Sequence, residues 1–334
     1  MTMLAMQLST PGAAASHPLV RVELETPRPD EGELLLRVSA CGVCRTDLQL
    51  VEGDLVAHKL PIVPGHQIVG RVEAVGAGVT DWQIGDRAGV AWLASSCGTC
   101  ARCLEGRENL CESARFTGWD RDGGYATYVT ARADFALRLP EAFDDLAAAP
   151  LLCGGVVGYR SLVASGVRPG QRLGLFGFGA SALLVLQVAL HWGCRVYVCT
   201  RSEAERERAR QLGATWAGGY DEPPPERLDA AITFAPVGSV VIAALKSLER
   251  GGTVAVNAIH LDQIPSFSYD ALWWERSIRS VANFTRVDAR AFLELAAQIP
   301  VRTAIDVVPL MEANVALERL EQGRVSGAAV LQMT

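Results

Sequence analysis

The sequence predicts an α/β protein with two domains, a turn-rich β domain and a doubly wound parallel sheet. Its 334 residues suit about two domains of ~150 residues each. The first ~130 residues contain short β-rich runs separated by glycines. From about Gly170 onward, apolar strands alternate with helical stretches, which is typical of a parallel sheet with crossover helices.

The elements follow from these patterns in chain order. The β domain is predicted from strands at 34–39, 68–75 and 125–129. The parallel sheet is predicted from strands at 172–176, 195–199, 215–217, 228–234, 253–258 and 278–282, enough for a complete doubly wound sheet. Between them, the helix 202–212 opens with a capping serine and an acidic first turn. A last strand–helix–strand segment at 304–308, 312–321 and 328–332 either extends this sheet or returns to the first domain.

Composition and charge exclude several classes of function. With 49% hydrophobic and 20% charged residues, the chain is neither disordered nor fibrous. The net charge of −6 argues against a nucleic-acid groove. The apolar stretch 180–190 is shorter than the ~20 residues that a bilayer requires. The N-terminus has no basic residue ahead of its apolar stretch, so we expect no secretory signal and a cytoplasmic protein.

Four of the nine cysteines lie within fifteen residues, at Cys97, Cys100, Cys103 and Cys111. Four thiolates at this spacing can close a tetrahedral shell around Zn²⁺, which is the mark of a structural site. An iron–sulfur motif has a shorter last gap and a following proline, whereas here the gap is seven residues and Glu112 follows. Disulfides are the other alternative, but an odd cysteine count and a reducing compartment favour zinc.

Five motifs, taken together, carry a family resemblance. The chain resembles the zinc-dependent alcohol dehydrogenases of the medium-chain dehydrogenase/reductase family, and the similar motifs follow the family's order along nearly its whole length. They are Cys41-Gly-Val-Cys44-Arg45-Thr46-Asp47, Pro64-Gly65-His66-Gln67, Gly85-Asp86-Arg87, the four-cysteine lobe and Pro150-Leu-Leu-Cys153-Gly-Gly. The resemblance implies a GroES-like catalytic domain at 1–152 and 300–334, and a Rossmann cofactor domain at 153–299.

The resemblance also implies a catalytic zinc ion. In the family, the residues that correspond to Cys44, His66 and Cys153 bind it, and Cys41 is then a buried thiol without a metal. Two thiolates and one imidazole leave a fourth position open for water or a substrate oxygen. Zinc in such a site acts as a Lewis acid.

Four polar residues near these ligands are given roles by the same resemblance. Asp47 orients the histidine ligand, and Thr46 accepts the substrate proton. Gln67 lies near zinc where the family usually has glutamate, and we expect the neutral amide to leave the metal a stronger Lewis acid. Gln49 stands where many members have a histidine that ends the proton relay. Because glutamine does not titrate, we expect protons to leave through the cofactor ribose and water.

A glycine-rich turn predicts the cofactor site. It follows the strand 172–176 and opens an apolar helix, so backbone N–H groups can approach a pyrophosphate. The residues are Gly177, Phe178, Gly179, Ala180, Ser181 and Ala182. A tight turn without a ligand is the alternative.

The end of the second strand of the sheet indicates NADP(H), with NAD(H) as the alternative. Thr200, Arg201 and Ser202 stand there, with no carboxylate until Glu203. Their hydroxyls and guanidinium can bind a 2′-phosphate, although Arg201 can equally be a solvated residue at the start of a helix. By resemblance, Arg45 contacts the pyrophosphate.

By resemblance, Trp92 and Trp119 line the substrate cleft beside zinc, where two large aromatic rings favour unbranched or flat apolar alcohols and aldehydes. Each tryptophan can instead be a core residue. Trp273 and Trp274 are expected at a domain or subunit boundary. The family forms homodimers and homotetramers.

The function favoured by these residues is hydride transfer between a nicotinamide cofactor and a primary alcohol or aldehyde, with two zinc ions per chain. One alternative is a zinc-free quinone or enoyl reductase on the same fold. The other is a non-catalytic binding or redox-sensing protein.

Overall fold

The structure is a computed structural model that describes residues 2–258, 261–299 and 301–333. The chain divides into two compact units. The first contains Met1–Cys153, Thr285–Ala297 and Arg302–Thr334, and the second contains Gly154–Phe284 and Gln298–Val301. All predicted metal ligands therefore lie in the first unit.

The elements up to Cys153 are mostly strands. They are β1 (Thr2–Leu8), β2 (Leu19–Glu25), β3 (Glu33–Val43), α1 (Arg45–Glu52), β4 (Gln67–Val75), β5 (Arg87–Val90), β6 (Leu93–Ser95), α2 (Ala101–Leu104), β7 (Arg115–Phe116), β8 (Tyr128–Arg132), β9 (Leu137–Arg138) and α3 (Asp145–Ala148).

The next elements, up to Phe284, alternate between helix and strand. They are α4 (Gly154–Ser165), β10 (Arg172–Phe176), α5 (Ala180–His191), β11 (Arg195–Cys199), α6 (Glu203–Gln211), β12 (Trp216–Gly218), β13 (Leu228–Thr233), α7 (Gly238–Ser247), β14 (Leu248–Val256) and β15 (Ser277–Ser280). The last elements are α8 (Arg286–Gln298), β16 (Ile305–Pro309), α9 (Ala313–Glu321) and β17 (Ala328–Gln332).

The first unit is built on a mostly antiparallel sheet with the order β16–β17–β3–β4–β5–β9, and β8 also pairs with β3. Apolar side chains from β3, β4 and α1 share one core with those of β1, β17 and α9. The C-terminal segment thus returns to the first domain, because β17 pairs antiparallel with β3. The ligand loop before α1 and the Gly-His turn before β4 start from this sheet, so the core fixes where both segments lie.

The second unit holds a parallel sheet with the order β12–β11–β10–β13–β14–β15. This is the doubly wound arrangement, in which the strand order reverses beside the first strand. Its central strands are buried on both faces and therefore read as continuous apolar runs. The predicted fold class, a turn-rich β domain plus a doubly wound parallel sheet, is confirmed.

Helix α8 marks one difference from the predicted division of the chain. The sequence boundary at 299 assigns it to the cofactor domain, whereas residues 285–297 group with the first unit. The physical reason is an anchor at the start of the helix. The backbone N–H of Arg286 donates to Glu108 Oε1 at 2.9 Å, and the Arg286 guanidinium lies 4.4 Å from the Phe135 ring. Pro300, at the predicted boundary, lies outside the described residues.

One apolar helical stretch, Asp145–Ser165, has the length and mean hydropathy of a membrane-crossing helix. More than half of it, 56%, is buried inside the protein, and the core helices of soluble proteins have the same length and composition. The stretch is therefore weak evidence for a membrane span.

Candidate metal centres and active site

Asp47 ties together the two segments that carry the first two predicted ligands. Cys44 is the N-cap of α1, and its backbone N–H donates to Asp47 Oδ2 at 2.8 Å in a capping box. The other oxygen, Oδ1, accepts from the backbone of Gly65 at 3.2 Å and from His66 Nδ1 at 3.0 Å. One buried carboxylate thus fixes both the loop that carries Cys44 and the turn that carries His66.

The turn before β4 requires glycine at position 65. Gly65 has φ +100°, and a Cβ there would press on the Tyr125 ring and lie 2.9 Å from Cys41 Sγ. His66 follows with 2% exposure. Since its Nδ1–H donates to Asp47, Nε2 is left free for a metal.

Three predicted ligands converge in the first unit. Cys44 Sγ lies 3.7 Å from Cys153 Sγ, and His66 Nε2 lies 3.4 Å from Cys153 Sγ. All three ligand atoms lie within 4.8 Å of one another. Tetrahedral zinc, with bonds of about 2.3 Å to sulfur and 2.0 Å to nitrogen, needs separations of about 3.8 Å and 3.6 Å. The donor set and its spacing therefore fit zinc.

The electrostatics of this site also suit a cation. The pKa of Cys44 falls well below its ordinary value, because Cys153 hydrogen-bonds to its sulfur and His66 lies beside it. The same hydrogen bond and burial raise the pKa of Cys153. Burial alone would lower the pKa of His66, but Asp47 and Cys44 raise it to about 10. The site thus already holds one stabilised thiolate for a metal.

Thr46 lies beside this set, and the other two predicted polar residues, Gln67 and Gln49, are buried in the same unit. Thr46 Oγ1 is 3.8 Å from Cys44 Sγ, close enough to share its surroundings. Gln67 is buried and pairs in register with Gly42, where an added Cβ would lie 2.6 Å from Gln67 Oε1. A side chain at position 42 would therefore displace the amide of Gln67. Gln49 is buried on α1. The thiol of Cys41 is also buried, and this burial raises its pKa well above its usual value.

The four-cysteine lobe also gathers its sulfur atoms. Cys97 Sγ lies 3.9 Å from Cys103 and 3.5 Å from Cys111, and Cys100 lies 3.6 Å from Cys103. These separations match a tetrahedral zinc shell and greatly exceed a disulfide bond of about 2.05 Å. Backbone hydrogen bonds from Thr99 and Cys100 lower the pKa of Cys97 to about 6, which favours the thiolate. The nine cysteines, all of them among the described residues, are free thiols.

An aromatic cluster adjoins the three-ligand site. Trp92 lies 6.1 Å from the His66 ring, 4.7 Å from Phe116 and 6.0 Å from Trp119. His58 stacks on Trp119 at 3.9 Å. We call these rings, Trp92, Phe116, Trp119 and His58, the aromatic wall. Trp92, Phe116 and Trp119 are half-buried and His58 is exposed, so both predicted tryptophans present ring surface; Trp92 lies beside His66, and Trp119 packs against Trp92.

Two members of the aromatic wall were missed from the sequence. Phe116 and His58 have no fixed spacing to the metal motifs, and only the folded chain brings them together. The loop with His58 is held in place by hydrogen bonds to the turn with Trp119. His58 Nδ1 pairs with Asp120 at 2.8 Å, and Trp119 Nε1 donates to Val56 O at 2.8 Å. No local sequence signal could have found them.

The predicted cofactor turn lies in the second unit at the carboxyl end of β10. Gly177 has φ +95°, and a Cβ there would lie 2.9 Å from the backbone nitrogen of Ala235. Gly179 is the N-cap of α5 and has no side chain to cap it, so the first N–H groups of the helix stay available to an anion. Phe178 and Ala182 are buried, Ser181 packs on Gly154, and Ala180 begins the helix.

The residues at the end of β11 differ in how free their side chains are to bind a ligand. Thr200 is 3% exposed, and its hydroxyl donates to Glu205. Ser202 caps α6 by accepting from the backbone N–H of Glu205. Arg201 is exposed, and so is Arg45 in the first turn of α1. Of the residues at the end of β11, Arg201 is therefore the one best placed to meet a ligand.

Comparison with protein-family models matches both halves of the chain. Residues 30–141 match the alcohol dehydrogenase GroES-like domain, and residues 182–298 match the zinc-binding dehydrogenase domain. The chain belongs to the zinc-binding alcohol dehydrogenases. The family predicted from the ordered motifs is thus confirmed, and members of this family act on small-molecule alcohols and aldehydes.

Individual alcohol dehydrogenases are similar over nearly the whole chain. A "probable alcohol dehydrogenase AdhA" of Mycobacterium tuberculosis is 49% identical over 99% of this chain and 97% of its own. An alcohol dehydrogenase of Geobacillus stearothermophilus is 37% identical, covering 93% and 94%. A cobalt- and zinc-bound thermostable alcohol dehydrogenase of Pyrobaculum aerophilum has a TM-score of 0.90 at 27% identity, covering 99% and 100%.

Replacing Asp47 with asparagine is expected to weaken metal binding at the three-ligand site of this alcohol dehydrogenase by about 10- to 100-fold. The amide loses the charge that holds His66 in position and one acceptor oxygen of the two in use. Zinc release to a chelator, followed with a colorimetric dye, measures the change. Asp54→Asn, at an exposed aspartate beyond the same helix, is the matched control. Unchanged release from Asp47→Asn would contradict this role.

Proposed function

We propose that the protein is a zinc-dependent alcohol dehydrogenase that interconverts a primary alcohol and its aldehyde, with NADP(H) as the favoured cofactor. The convergence of Cys44, His66 and Cys153 at zinc-like separations carries the proposal. Among the described residues, this group offers three protein ligands, which leaves one tetrahedral position for the substrate oxygen.

When bound, zinc supplies Lewis-acid activation of the substrate oxygen, and the nicotinamide supplies or accepts the hydride. The chain's own residues orient the metal ligand, accept the substrate proton and bind the cofactor. Asp47 holds the His66 ring by its Nδ1–H and so directs Nε2 toward the metal. Thr46 would accept the alcohol proton at its Oγ1 and release its own hydroxyl proton toward the cofactor ribose and water. The backbone N–H groups at the start of α5 bind the cofactor pyrophosphate.

We propose a second, structural zinc ion in the four-cysteine lobe, giving two per chain. The four sulfurs lie 3.5–3.9 Å apart along the measured pairs, and four protein ligands leave no position for a substrate.

The preference for NADP(H) rests on Arg201. Its guanidinium is exposed beside the strand end where the adenosine ribose binds in doubly wound sheets. A 2′-phosphate is a good partner for such a side chain. Glu205 lies close by, bonded to Thr200, and opposes a second negative charge. The preference for NADP(H) therefore depends on whether the attraction of the 2′-phosphate to Arg201 exceeds its repulsion by Glu205.

The aromatic wall supports flat or unbranched apolar substrates. Trp92 is the ring nearest His66, so a substrate oxygen near the metal leaves its carbon chain against indole. Flat aromatic alcohols and linear primary alcohols both fit this surface.

We also propose a cytoplasmic homodimer or homotetramer. Strand β15 lies at one end of the parallel sheet and is largely exposed. Trp273 and Trp274, just before it, are 50% and 47% exposed. An exposed edge strand beside aromatic side chains suits a subunit boundary.

A panel of primary alcohols and aldehydes, run with both cofactors before and after chelation, tests this function. We expect alcohol-dependent cofactor reduction, loss of activity on chelation and recovery with zinc. We expect kcat/KM to be higher with NADP, and Arg201→Ala to reduce the NADP-to-NAD ratio about tenfold. Arg168→Ala, at an exposed arginine near the opposite end of β10, should leave the ratio unchanged.

A clear NADH preference in the wild type would contradict the cofactor assignment. Full activity after complete removal of zinc would contradict the enzyme class, and would favour a zinc-free reductase of the same fold.

A further inference from the structure

Asp120 places a nearly buried carboxylate within the aromatic wall. Its side chain is 4% exposed. Its Oδ2 accepts from the backbone N–H of Phe116 at 2.8 Å, and its Oδ1 pairs with His58 Nδ1 at 2.8 Å and with the Arg115 guanidinium at 3.3 Å. A carboxylate that is withdrawn from water requires donors of this kind. One side chain thus joins two rings of the wall that come from different segments.

The backbone of the same turn fixes where Trp119 begins. The N–H groups of Trp119, Asp120 and Arg121 point to the carbonyl oxygen of Phe116, at 3.4, 2.9 and 3.2 Å. The turn therefore closes on Phe116, and the rings of Phe116 and Trp119 lie 5.5 Å apart. Because Asp120 also accepts from the N–H of Phe116, its carboxylate holds both ends of this turn together.

The loop that carries His58 holds the indole of Trp119 from the other side. The His58 ring lies 3.9 Å from the Trp119 ring, and the two planes are only 24° apart. The indole Nε1–H donates to Val56 O at 2.8 Å. Since the carboxylate of Asp120 only accepts, the hydrogen of the pair lies on His58 Nδ1, and the bond sets the rotation of the imidazole.

A second histidine of the chain shows that this pair differs from a solvated surface contact. His17 pairs with Glu318 at 3.1 Å, and its side chain is 48% exposed, as is that of His58. The carboxylate of Glu318 is 32% exposed, so that pair is worth little in water. His58 instead pairs with a carboxylate that is almost fully buried, and it also stacks on an indole.

Trp119 forms the part of the wall that lies further from the metal ligands. Trp92 lies 6.1 Å from the His66 ring, and Trp119 lies 6.0 Å beyond Trp92, with its plane 24° from that of Trp92. A substrate oxygen at the metal puts the first carbons of the substrate beside Trp92. A longer flat substrate is required to reach Trp119.

We propose that Asp120 and His58 are positioning residues that fix Trp119 as the outer contact surface for a flat aromatic substrate. The wall then selects alcohols and aldehydes whose aromatic ring is separated from the reacting carbon, in preference to short alkyl ones. This inference rests on the proposed alcohol dehydrogenase function and narrows its substrate class.

Kinetics with a long flat alcohol and a short one test this role. We measure kcat and KM for cinnamyl alcohol and for ethanol at saturating cofactor, and near-UV circular dichroism of the zinc-loaded proteins reports the packing of the indoles. The variants are His58→Ala, Asp120→Asn and His58→Phe, which keeps a stacked ring but loses the bond to Asp120. His17→Ala is the matched control, because it removes an equally exposed histidine from a carboxylate pair.

We expect His58→Ala and Asp120→Asn to raise KM for cinnamyl alcohol about fivefold relative to KM for ethanol, which is the typical value of one aromatic contact. The loss should appear in KM rather than in kcat, and the near-UV signal should decrease. His58→Phe should recover most of both losses, and His17→Ala should match the wild type.

Two results would overturn the inference. One is an equal rise in KM for both alcohols, and the other is an unchanged KM ratio in His58→Ala, which removes an exposed side chain and is expected to fold even if Asp120→Asn does not. A wild type that oxidises neither alcohol would contradict the proposed function, and the substrate class inferred from the wall with it.

Discussion

Cys153→Ser is expected to lower kcat/KM for alcohol oxidation by at least about a thousandfold, while the protein stays folded and keeps one zinc ion of two. A thousandfold loss corresponds to about 4 kcal/mol of transition-state stabilisation. Removing one thiolate leaves two ligands at the three-ligand site, because Cys153 Sγ is the atom close to both Cys44 and His66. Metal analysis and steady-state kinetics on the same preparation measure both effects.

Cys41→Ala is the matched control for this experiment. Cys41 is a fully buried thiol next to Gly65 and Gly124, yet it is not part of the three-ligand group. The variant should keep two zinc ions per chain and most of its activity, although lost packing lowers its stability somewhat. A second zinc ion retained by Cys153→Ser, with normal turnover, would show that another group binds the metal.

Cys103→Ser is expected to remove the structural zinc and to lower the thermal unfolding midpoint by about 10 °C. Between Cys97 and Cys111 the chain forms only the four-residue helix α2 and a short 3-10 turn in the described structure, and most of its side chains are exposed or half-buried. The metal therefore replaces a hydrophobic core there. Losing one of the four ligands costs about 3–5 kcal/mol of stability. For a domain of this size, that loss lowers the unfolding midpoint by about 10 °C.

The control for the lobe is Cys199→Ala, which removes a buried thiol from the second unit. Calorimetry on both variants, with zinc content measured in parallel, separates loss of metal from loss of packing. Activity of Cys103→Ser at low temperature should stay near that of the wild type. Two zinc ions in Cys103→Ser and an unchanged midpoint would contradict a structural role.

The parallel sheet could be predicted well because its strands are short apolar runs bounded by glycines and helices. The ranges 172–176, 195–199 and 328–332 coincide with β10, β11 and β17. The strand predicted at 125–129 begins at Tyr128 instead. Residues Tyr125 and Thr127 bond to Met6 and Leu4 of β1, which the sequence analysis did not predict. Strand β2, which pairs with β1, could have been predicted from the alternating pattern of Leu19–Glu25.

The two metal sites differ in how far the sequence could predict them. Cys97, Cys100, Cys103 and Cys111 are local, so their spacing alone indicates a shared ion. Cys44, His66 and Cys153 have no mutual spacing rule, and 87 residues separate the last two. Only the family resemblance joined them before the fold did. The aromatic wall depends on tertiary contacts that no local pattern encodes.

The cofactor end of β11 shows a further limit. The three residues at 200–202 read as a phosphate-binding group. In the folded chain, however, Ser202 and Glu205 form the start of a helix, and Glu205 also accepts from Thr200. A helix-capping motif and a phosphate-binding site use the same residue types, so the sequence alone does not distinguish one from the other.

Zinc-edge anomalous diffraction from crystals of the zinc-loaded protein tests the central claim most directly. We predict two peaks per chain. One should lie within about 2.0–2.3 Å of Cys44 Sγ, His66 Nε2 and Cys153 Sγ, with a water or substrate oxygen in the fourth position, and the other among the four lobe sulfurs. A chain with no peak among Cys44, His66 and Cys153, or with a fourth protein ligand closing that shell, would contradict the account.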